Sequence, residues 1–369
     1  MRTFVFTCLL LLGMTTFAQD ANFHVYLCLG QSNMEGNAKV EEQDTVAVDS
    51  RFQVLAAVDC PNLGRTKGNW YKAVPPLARC YTGLTPGDYF GRAMVANLPS
   101  NVRVGIINVA VGGCRIELFD KDNYQSYVET SPDWLKNMVK EYGGNPYARL
   151  VEMAKLAQKD GVIKGILLHQ GESNTNDKDW PSKVKGVYDN LLKDLGLSAA
   201  NVPLLAGEVV HADQNGVCAS MNTIIDSLPQ VIPTAHVISS AGCPAAFDNL
   251  HFTAEGYRML GARYAAKMLS ILGYGDWTSA QNMKLWYGRP AQDWLEALPL
   301  GNSRLGAMVF GGTAREELQL NEETFWAGGP YNNNNPKGLQ VLPEIRRLIF
   351  EGKTLEAQKL IDENYMTPQ

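Results

Sequence analysis

The chain has no surplus of positive charge: 33 lysines and arginines face 38 aspartates and glutamates, for a formal net charge of −5. No dense Lys/Arg block occurs either, so the electrostatic footprint of a nucleic-acid-binding surface is missing. Long hydrophobic runs are also missing. The apolar stretch 4–13 is well short of the roughly 20 residues that a spanning helix requires, and no later stretch reaches that length. Histidine and cysteine are scarce and scattered: five and seven residues, with no close-set ligand cluster. No zinc site is therefore expected, and no cofactor is expected. What remains is ordinary for a globular protein: 45% hydrophobic and 19% charged residues over 369 positions. That is enough for a sizeable core and for more than one domain at roughly 100–200 residues each.

The first residues have the layout of a secretory leader. Arg2 supplies the positive start, residues 4–13 the apolar run, and Thr16-Phe17-Ala18 a small-x-small cleavage site. Residues 1–18 are read as a signal peptide, and the mature chain as secreted or periplasmic, with no membrane insertion after cleavage. Cys8 has no lipobox before it, so no lipid anchor is expected. An oxidising compartment permits disulfides among the remaining cysteines. Cys60 with Cys80 and Cys218 with Cys243 are candidate pairs, though spacing does not fix connectivity. Cys28, inside an apolar run, reads as a buried thiol.

From Phe23 to about Gly273, short apolar strands alternate with helical stretches. The strands expected are 23–29, 102–109, 163–169, 202–208 and 235–239. Several are continuous apolar runs, the pattern of parallel strands covered on both faces. Helices are expected at 146–159, at 183–195 and, capped by Thr253, on to about 272. This rhythm predicts an α/β sandwich with right-handed crossovers, and sites at the carboxyl ends of its strands. Residues 275–283 read as a linker. The remainder, 284–369, loses the rhythm: strands at 305–310 and 318–320, a loop at 332–335 ended by Pro336, and a helix at 343–361.

Four blocks fall where chemistry is expected. Gly30-Gln31-Ser32-Asn33-Met34-Glu35-Gly36 follows the first strand directly. Its glycines permit a tight turn that exposes Ser32 as a nucleophile, whose own N–H can help hold an oxyanion. Val111-Gly112-Gly113-Cys114 follows the second expected strand and can offer a backbone N–H toward Ser32. His169-Gln170-Gly171-Glu172-Ser173-Asn174 ends the third; the Gln170 amide can donate to an oxyanion and Glu172 can orient a base or a sugar hydroxyl. Asp248-Asn249-Leu250-His251 precedes the last helix of the domain. A carboxylate three residues upstream can hold a histidine in the tautomer that a serine nucleophile needs. Each block alone is weak, a plain turn or a cap; together they stand in the order Ser, Asp, His. Trp70, Tyr71 and Tyr81 are candidates for stacking on sugar rings, or for packing beneath their loop.

In combination, these blocks resemble the SGNH hydrolases, and within them the carbohydrate esterase family 6 and sialate O-acetylesterase group, over about 23–273. The resemblance implies a flavodoxin-like, three-layer α/β/α fold with a parallel sheet. It implies a metal-free mechanism with Ser32 as nucleophile, His251 as base and Asp248 as its orienter. The implied oxyanion donors are the Ser32 N–H, the N–H of Gly113 or Gly112, and the Gln170 amide. Glu172 is implied as a supporting residue. Gln170 and Glu172 stand where other SGNH members place a Gly-x-Asn block, a departure that this subgroup shares.

The tail resembles a different family. Leu285-Trp286-Tyr287, Pro290-Ala291, Trp294, Arg304-Leu305-Gly306-Ala307-Met308-Val309, Leu320-Asn321-Glu322-Glu323-Thr324 and Gly328-Gly329-Pro330 are similar to the N-terminal β-rich domain of glycoside hydrolase family 95, which includes α-L-fucosidases. The resemblance puts that family's catalytic carboxylates in a later region, so 284–369 reads as a truncated domain. Glu322-Glu323 reads as surface charge rather than an acid/base pair. The expected activity is serine-dependent deacetylation of a plant or host glycan, either acetylated xylan or xyloglucan or an O-acetyl sialic acid. No protein or nucleic-acid partner is expected. Two alternatives stand beside it: the esterase part of a larger α-L-fucosidase polypeptide, and an inactive carbohydrate-binding accessory protein.

Overall fold

The computed structural model describes residues 19–274, 287–302, 304–325 and 335–365. The expected leader 1–18, the linker 275–283 and loop positions 332–334 lie outside the described residues. The chain divides into two compact units, on either side of the bond between Lys284 and Leu285.

The first unit is an α/β domain around a seven-stranded sheet. Its strands are β1 (Asp20–Gly30), β2 (Phe52–Leu55), β3 (Trp70–Lys72), β4 (Arg103–Ala110), β5 (Gly161–His169), β6 (Leu204–Gly207) and β7 (Ala235–Ile238). They lie in the order β3-β2-β4-β1-β5-β6-β7. Every pairing is parallel except β3 on β2, which is antiparallel.

β1 lies at the middle of the sheet because its composition permits nothing else. From Phe23 to Gly30 every residue is buried, which needs cover on both faces. Alternate side chains feed two separate cores: Val25, Leu27 and Leu29 enter one, Tyr26 and Cys28 the other. The helices Pro146–Ala157 and Trp180–Leu195 cover the first face, Pro86–Asn97 and Ala254–Ile271 the second. Register then positions the motifs. Gly30 pairs with Ala110 on one side and His169 on the other. Three strands therefore end level, and the loops beginning at Gln31, Val111 and Gln170 emerge side by side.

The five expected strands and three expected helices are present, with ends shifted by up to three residues. β2 and β3 were not expected. Each is short, four and three residues; β3 is the edge strand and β2 lies next to it, where tertiary pairing rather than pattern decides. β3 also shows where Trp70 goes. Its ring packs on Phe23, 4.7 Å between centroids, and its Nε1 donates to Asp160 at 2.9 Å. Phe23 is at the opposite end of β1 from Gly30, so Trp70 packs away from the site. The Tyr71 hydroxyl accepts from Thr66 N, while Tyr81 is almost fully exposed.

The second unit holds an antiparallel sheet of β8 (Leu298–Gly301), β9 (Leu305–Val309) and β10 (Leu318–Glu322), in the order β10-β9-β8. The expected helix 343–361 is two helices, Gly338–Phe350 and Thr354–Asn364. Gly352, at φ 76°, breaks the run between them. Their shared core is small: Ile345, Leu348 and Ala357. Among the described residues no helix is long and apolar enough to cross a membrane.

Candidate active site

The loop that carries Ser32 depends on Gly30. Its φ is +150°, and a Cβ there would lie 2.0 Å from the His169 carbonyl oxygen. Only glycine lets β1 end in that conformation against β5. Gln31 N then donates to His169 O at 3.1 Å, and one helical turn, Ser32–Glu35, begins. Ser32 is mostly buried, 8% exposed.

The last loop of the domain brings Asp248 and His251. Asn249 takes the left-handed conformation at φ 53°, and Asp248 Oδ1 accepts from Leu250 N and His251 N, both at 3.0 Å. This local turn fixes the carboxylate. Thr253 then caps the helix Ala254–Ile271 by accepting from Gly256 N at 3.1 Å. As a result, His251 Nδ1 meets Asp248 Oδ2 at 2.6 Å and His251 Nε2 meets Ser32 Oγ at 2.9 Å. Burial pushes the Asp248 carboxyl up. The hydrogen bonds from the His251 ring and from the two backbone N–H groups outweigh it and hold the carboxyl below its ordinary value. A charged Asp248 keeps a proton on Nδ1, which leaves Nε2 as an acceptor for the serine proton.

The candidate oxyanion donors separate into two groups. The Gly112 N–H is committed to Glu35 Oε1 at 3.1 Å. The Gln170 amide is also committed: its Nε2 lies 2.8 Å from Asn174 Oδ1, 3.1 Å from Gln31 Oε1 and 3.3 Å from Cys114 O. Its Oε1 accepts from the Trp180 indole. These bonds clamp the three loops together. The backbone N–H groups of Ser32 and Gly113 donate to no acceptor among the described residues, so these two are left for a developing negative charge. Gly113 has φ +68°, a left-handed turn that glycine adopts without steric cost.

Glu172 does not reach the imidazole. Its carboxylate accepts from Asn33 Nδ2, and His169 Nε2 lies 3.7 Å from it. Burial raises the Glu172 carboxyl and pushes His169 down to about 3. Asn33 itself ties the site together. It donates to the Leu250 carbonyl at 3.1 Å and accepts from the Tyr257 hydroxyl at 2.6 Å. Sequence reasoning gave Asn33 no role, although its place beside Ser32 was a signal.

Two further residues had no readable signal. Arg79 forms an ion pair with Glu35, across 44 positions, and a second with Glu141. It thereby holds the carboxylate that occupies Gly112. Cys80, the next residue, is bonded to Cys60 with a Cα–Cα distance of 5.3 Å, whereas Cys218 and Cys243 remain free thiols. Trp134 lies over Gly113: a Cβ on that glycine would be 2.6 Å from the indole Cη2.

Chemically, a polarised hydroxyl, a base of fixed tautomer and two open N–H donors suit acyl transfer. Comparison with known proteins agrees. Residues 22–270 match the family of carbohydrate esterases described as sialic acid-specific acetylesterases. A probable carbohydrate esterase of Arabidopsis thaliana is 25% identical over 262 residues, 67% of this chain and 90% of that one. A solved structure of an Arabidopsis thaliana protein superposes with a TM-score of 0.52 at 22% identity, covering 68% of this chain and 99% of that one. At that identity the likeness shows the fold alone. Residues 285–369 match the N-terminal domain of glycosyl hydrolase family 65. In that part, alpha-L-fucosidase 2 of Arabidopsis thaliana is 44% identical over 75 residues, 20% of this chain. The chain spans only 9% of that fucosidase's length.

Proposed function

Since the chain belongs to the sialic acid-specific acetylesterase family of carbohydrate esterases and is a carboxylic ester hydrolase, we propose that it is a secreted serine O-acetylesterase acting on acetylated glycans through an acetyl-serine intermediate. The observation that carries this reading is the unbroken chain Ser32 Oγ–His251 Nε2–Asp248, with contacts of 2.9 and 2.6 Å.

In the proposed reaction, Ser32 Oγ attacks the acetyl carbonyl while His251 Nε2 takes its proton. The oxyanion forms against the N–H groups of Ser32 and Gly113, each such donor contributing about 3 kcal/mol to the barrier reduction. His251 returns the proton to the sugar oxygen as the C–O bond breaks. Water then attacks the carbonyl of acetyl-Ser32, giving a proton to His251; the bond from Ser32 Oγ to the acetyl carbon breaks, His251 returns that proton to Ser32 Oγ, and acetate leaves. Side chains and backbone supply every proton and dipole, so the reading requires no metal, cofactor, nucleic acid or protein partner. Secretion rests on the leader-like residues 1–18 and is supported by the Cys60–Cys80 bond, which an oxidising compartment favours. Sequencing the N-terminus of protein recovered from medium or periplasm tests it.

The substrate in this reading is acetylated xylan or xyloglucan, or an O-acetyl sialic acid. The test is acetate release from each by the wild type and by Ser32→Ala. Turnover retained without the Ser32 hydroxyl would reject the proposal. A second reading, the esterase portion of a larger α-L-fucosidase polypeptide, is favoured by one observation: the 44% identity of the second unit to such an enzyme. Coding sequence continuing past Gln369 in the source transcript would support it.

A further inference from the structure

The helix Asp133–Glu141 presents a sequence of side chains along the mouth of the site. Leu135 and Val139 point into the core and are buried. Trp134, Met138 and Glu141, on the neighbouring face, run from Gly113 toward Arg79: the indole of Trp134 against Gly113, the Met138 sulfur 3.1 Å from Arg79 Nη2, and Glu141 paired with Arg79. Within that row the indole is the largest apolar surface, and it stays 51% exposed. The core therefore does not use this ring fully, although its edge is fixed at one of the two open oxyanion donors.

Placement then determines what the ring can touch. A carbonyl oxygen held by the Gly113 N–H lies about 3 Å from that nitrogen. The groups flanking the ester carbon are then within reach of the indole beside Gly113. Acetyl contributes only a methyl group on one side; on the other side is the sugar. The apolar C–H face of a pyranose ring against an exposed aromatic is the larger contact available there. Charge pairing offers little competition nearby. The Arg79 guanidinium is paired with Glu35 and Glu141, and Arg115, beside Cys114, with Glu117 and Asp177.

Resting on the esterase reading of this site, we propose that Trp134 is its specificity-determining residue, the platform on which the acetylated pyranose stacks while its ester is held at Ser32 and Gly113. Acetate release by the wild-type protein, Trp134→Ala and Trp134→Phe is measured on an acetylated xylo-oligosaccharide and on ethyl acetate, which has no ring. Trp134→Ala is expected to raise KM for the oligosaccharide about tenfold, the equivalent of one lost stacking contact, with a much smaller change in its kcat. KM for ethyl acetate should move far less, and Trp134→Phe should recover most of the oligosaccharide affinity. Equal KM changes on both esters would reduce the indole to a prop for Gly113 and overturn the proposal; so would an unchanged oligosaccharide KM. If hydrolysis of ethyl acetate still depends on Ser32, the esterase reading survives that outcome. If neither ester is cleaved by the wild type, both readings fall.

Discussion

The residue after Ser32 holds the residue before His251: Asn33 Nδ2 donates to the Leu250 carbonyl oxygen at 3.1 Å. The distance between Ser32 and His251 is therefore set partly by a carboxamide that touches neither. Asn33 has no solvent exposure and also serves Glu172 and Tyr257.

Asn33→Ala should consequently harm both stability and catalysis. It strands the buried Glu172 carboxylate and the Tyr257 hydroxyl, at about 1–3 kcal/mol per unsatisfied group. Urea denaturation should show that loss, and kcat on an aryl acetate should fall more than KM rises. A variant with wild-type stability and kcat would refute the coupling.

Asp248→Asn tests the tautomer argument. The substituted side chain keeps an oxygen for the turn N–H groups but places an amide against His251 Nδ1. The imidazole then turns its N–H toward Ser32, and kcat should drop by about 10³–10⁴. Circular dichroism should remain that of the wild type. Near-normal kcat would show that Asp248 does not set the tautomer.

Arg79 stabilises through a pair that is nearly dry, each side chain 11% exposed in the contact with Glu35. Breaking such a pair by Arg79→Met leaves a carboxylate uncompensated and should cost about 3–5 kcal/mol. Removing both charges together, Arg79→Met with Glu35→Met, should cost less than the single change. Chemical denaturation of the three proteins decides it, and additive losses would reject the pair as a coupled unit.

Asp88 should make stability pH-dependent. It caps the helix Pro86–Asn97 by accepting from Thr85 N at 2.9 Å, and burial pushes its carboxyl up to about 8. The folded chain holds this proton more tightly than the unfolded one, whose carboxyl titrates near 3.8. Stability from this source is complete below the unfolded value and declines as pH rises from there through the folded value. Asp88→Asn keeps an acceptor for Thr85 N and cannot ionise, so its urea midpoint should fall less between pH 5 and pH 8. Parallel pH profiles for the two proteins would contradict this.

Much of the fold was readable because burial leaves its mark in composition. Phe23–Gly30 had to be a central strand, since nearly all its side chains are apolar and strands alternate faces. Thr253 showed where the last helix starts because a hydroxyl there satisfies an N–H at a helix end. β2 and β3 carried no such mark, since a strand of three or four residues at or next to the sheet's edge owes its form to its neighbours. The break at Gly352 was hidden for a related reason: an apolar period continues on both sides of a turn.

The candidate site divides in the same way. Sequence by itself determined the identities and order of Ser32, Asp248 and His251, the local turn that joins the last two, and the loops that end three strands. Chemistry selects residue types, and types are written in the chain. Only the tertiary structure decided which donors stay open, Gly113 rather than Gly112, and that Gln170 fastens loops together. It also decided that Glu172 meets Asn33, that Arg79 reaches Glu35, and that Trp134 covers Gly113. Those outcomes depend on which acceptor lies within about 3 Å of which donor, a matter of packing between segments far apart in the chain.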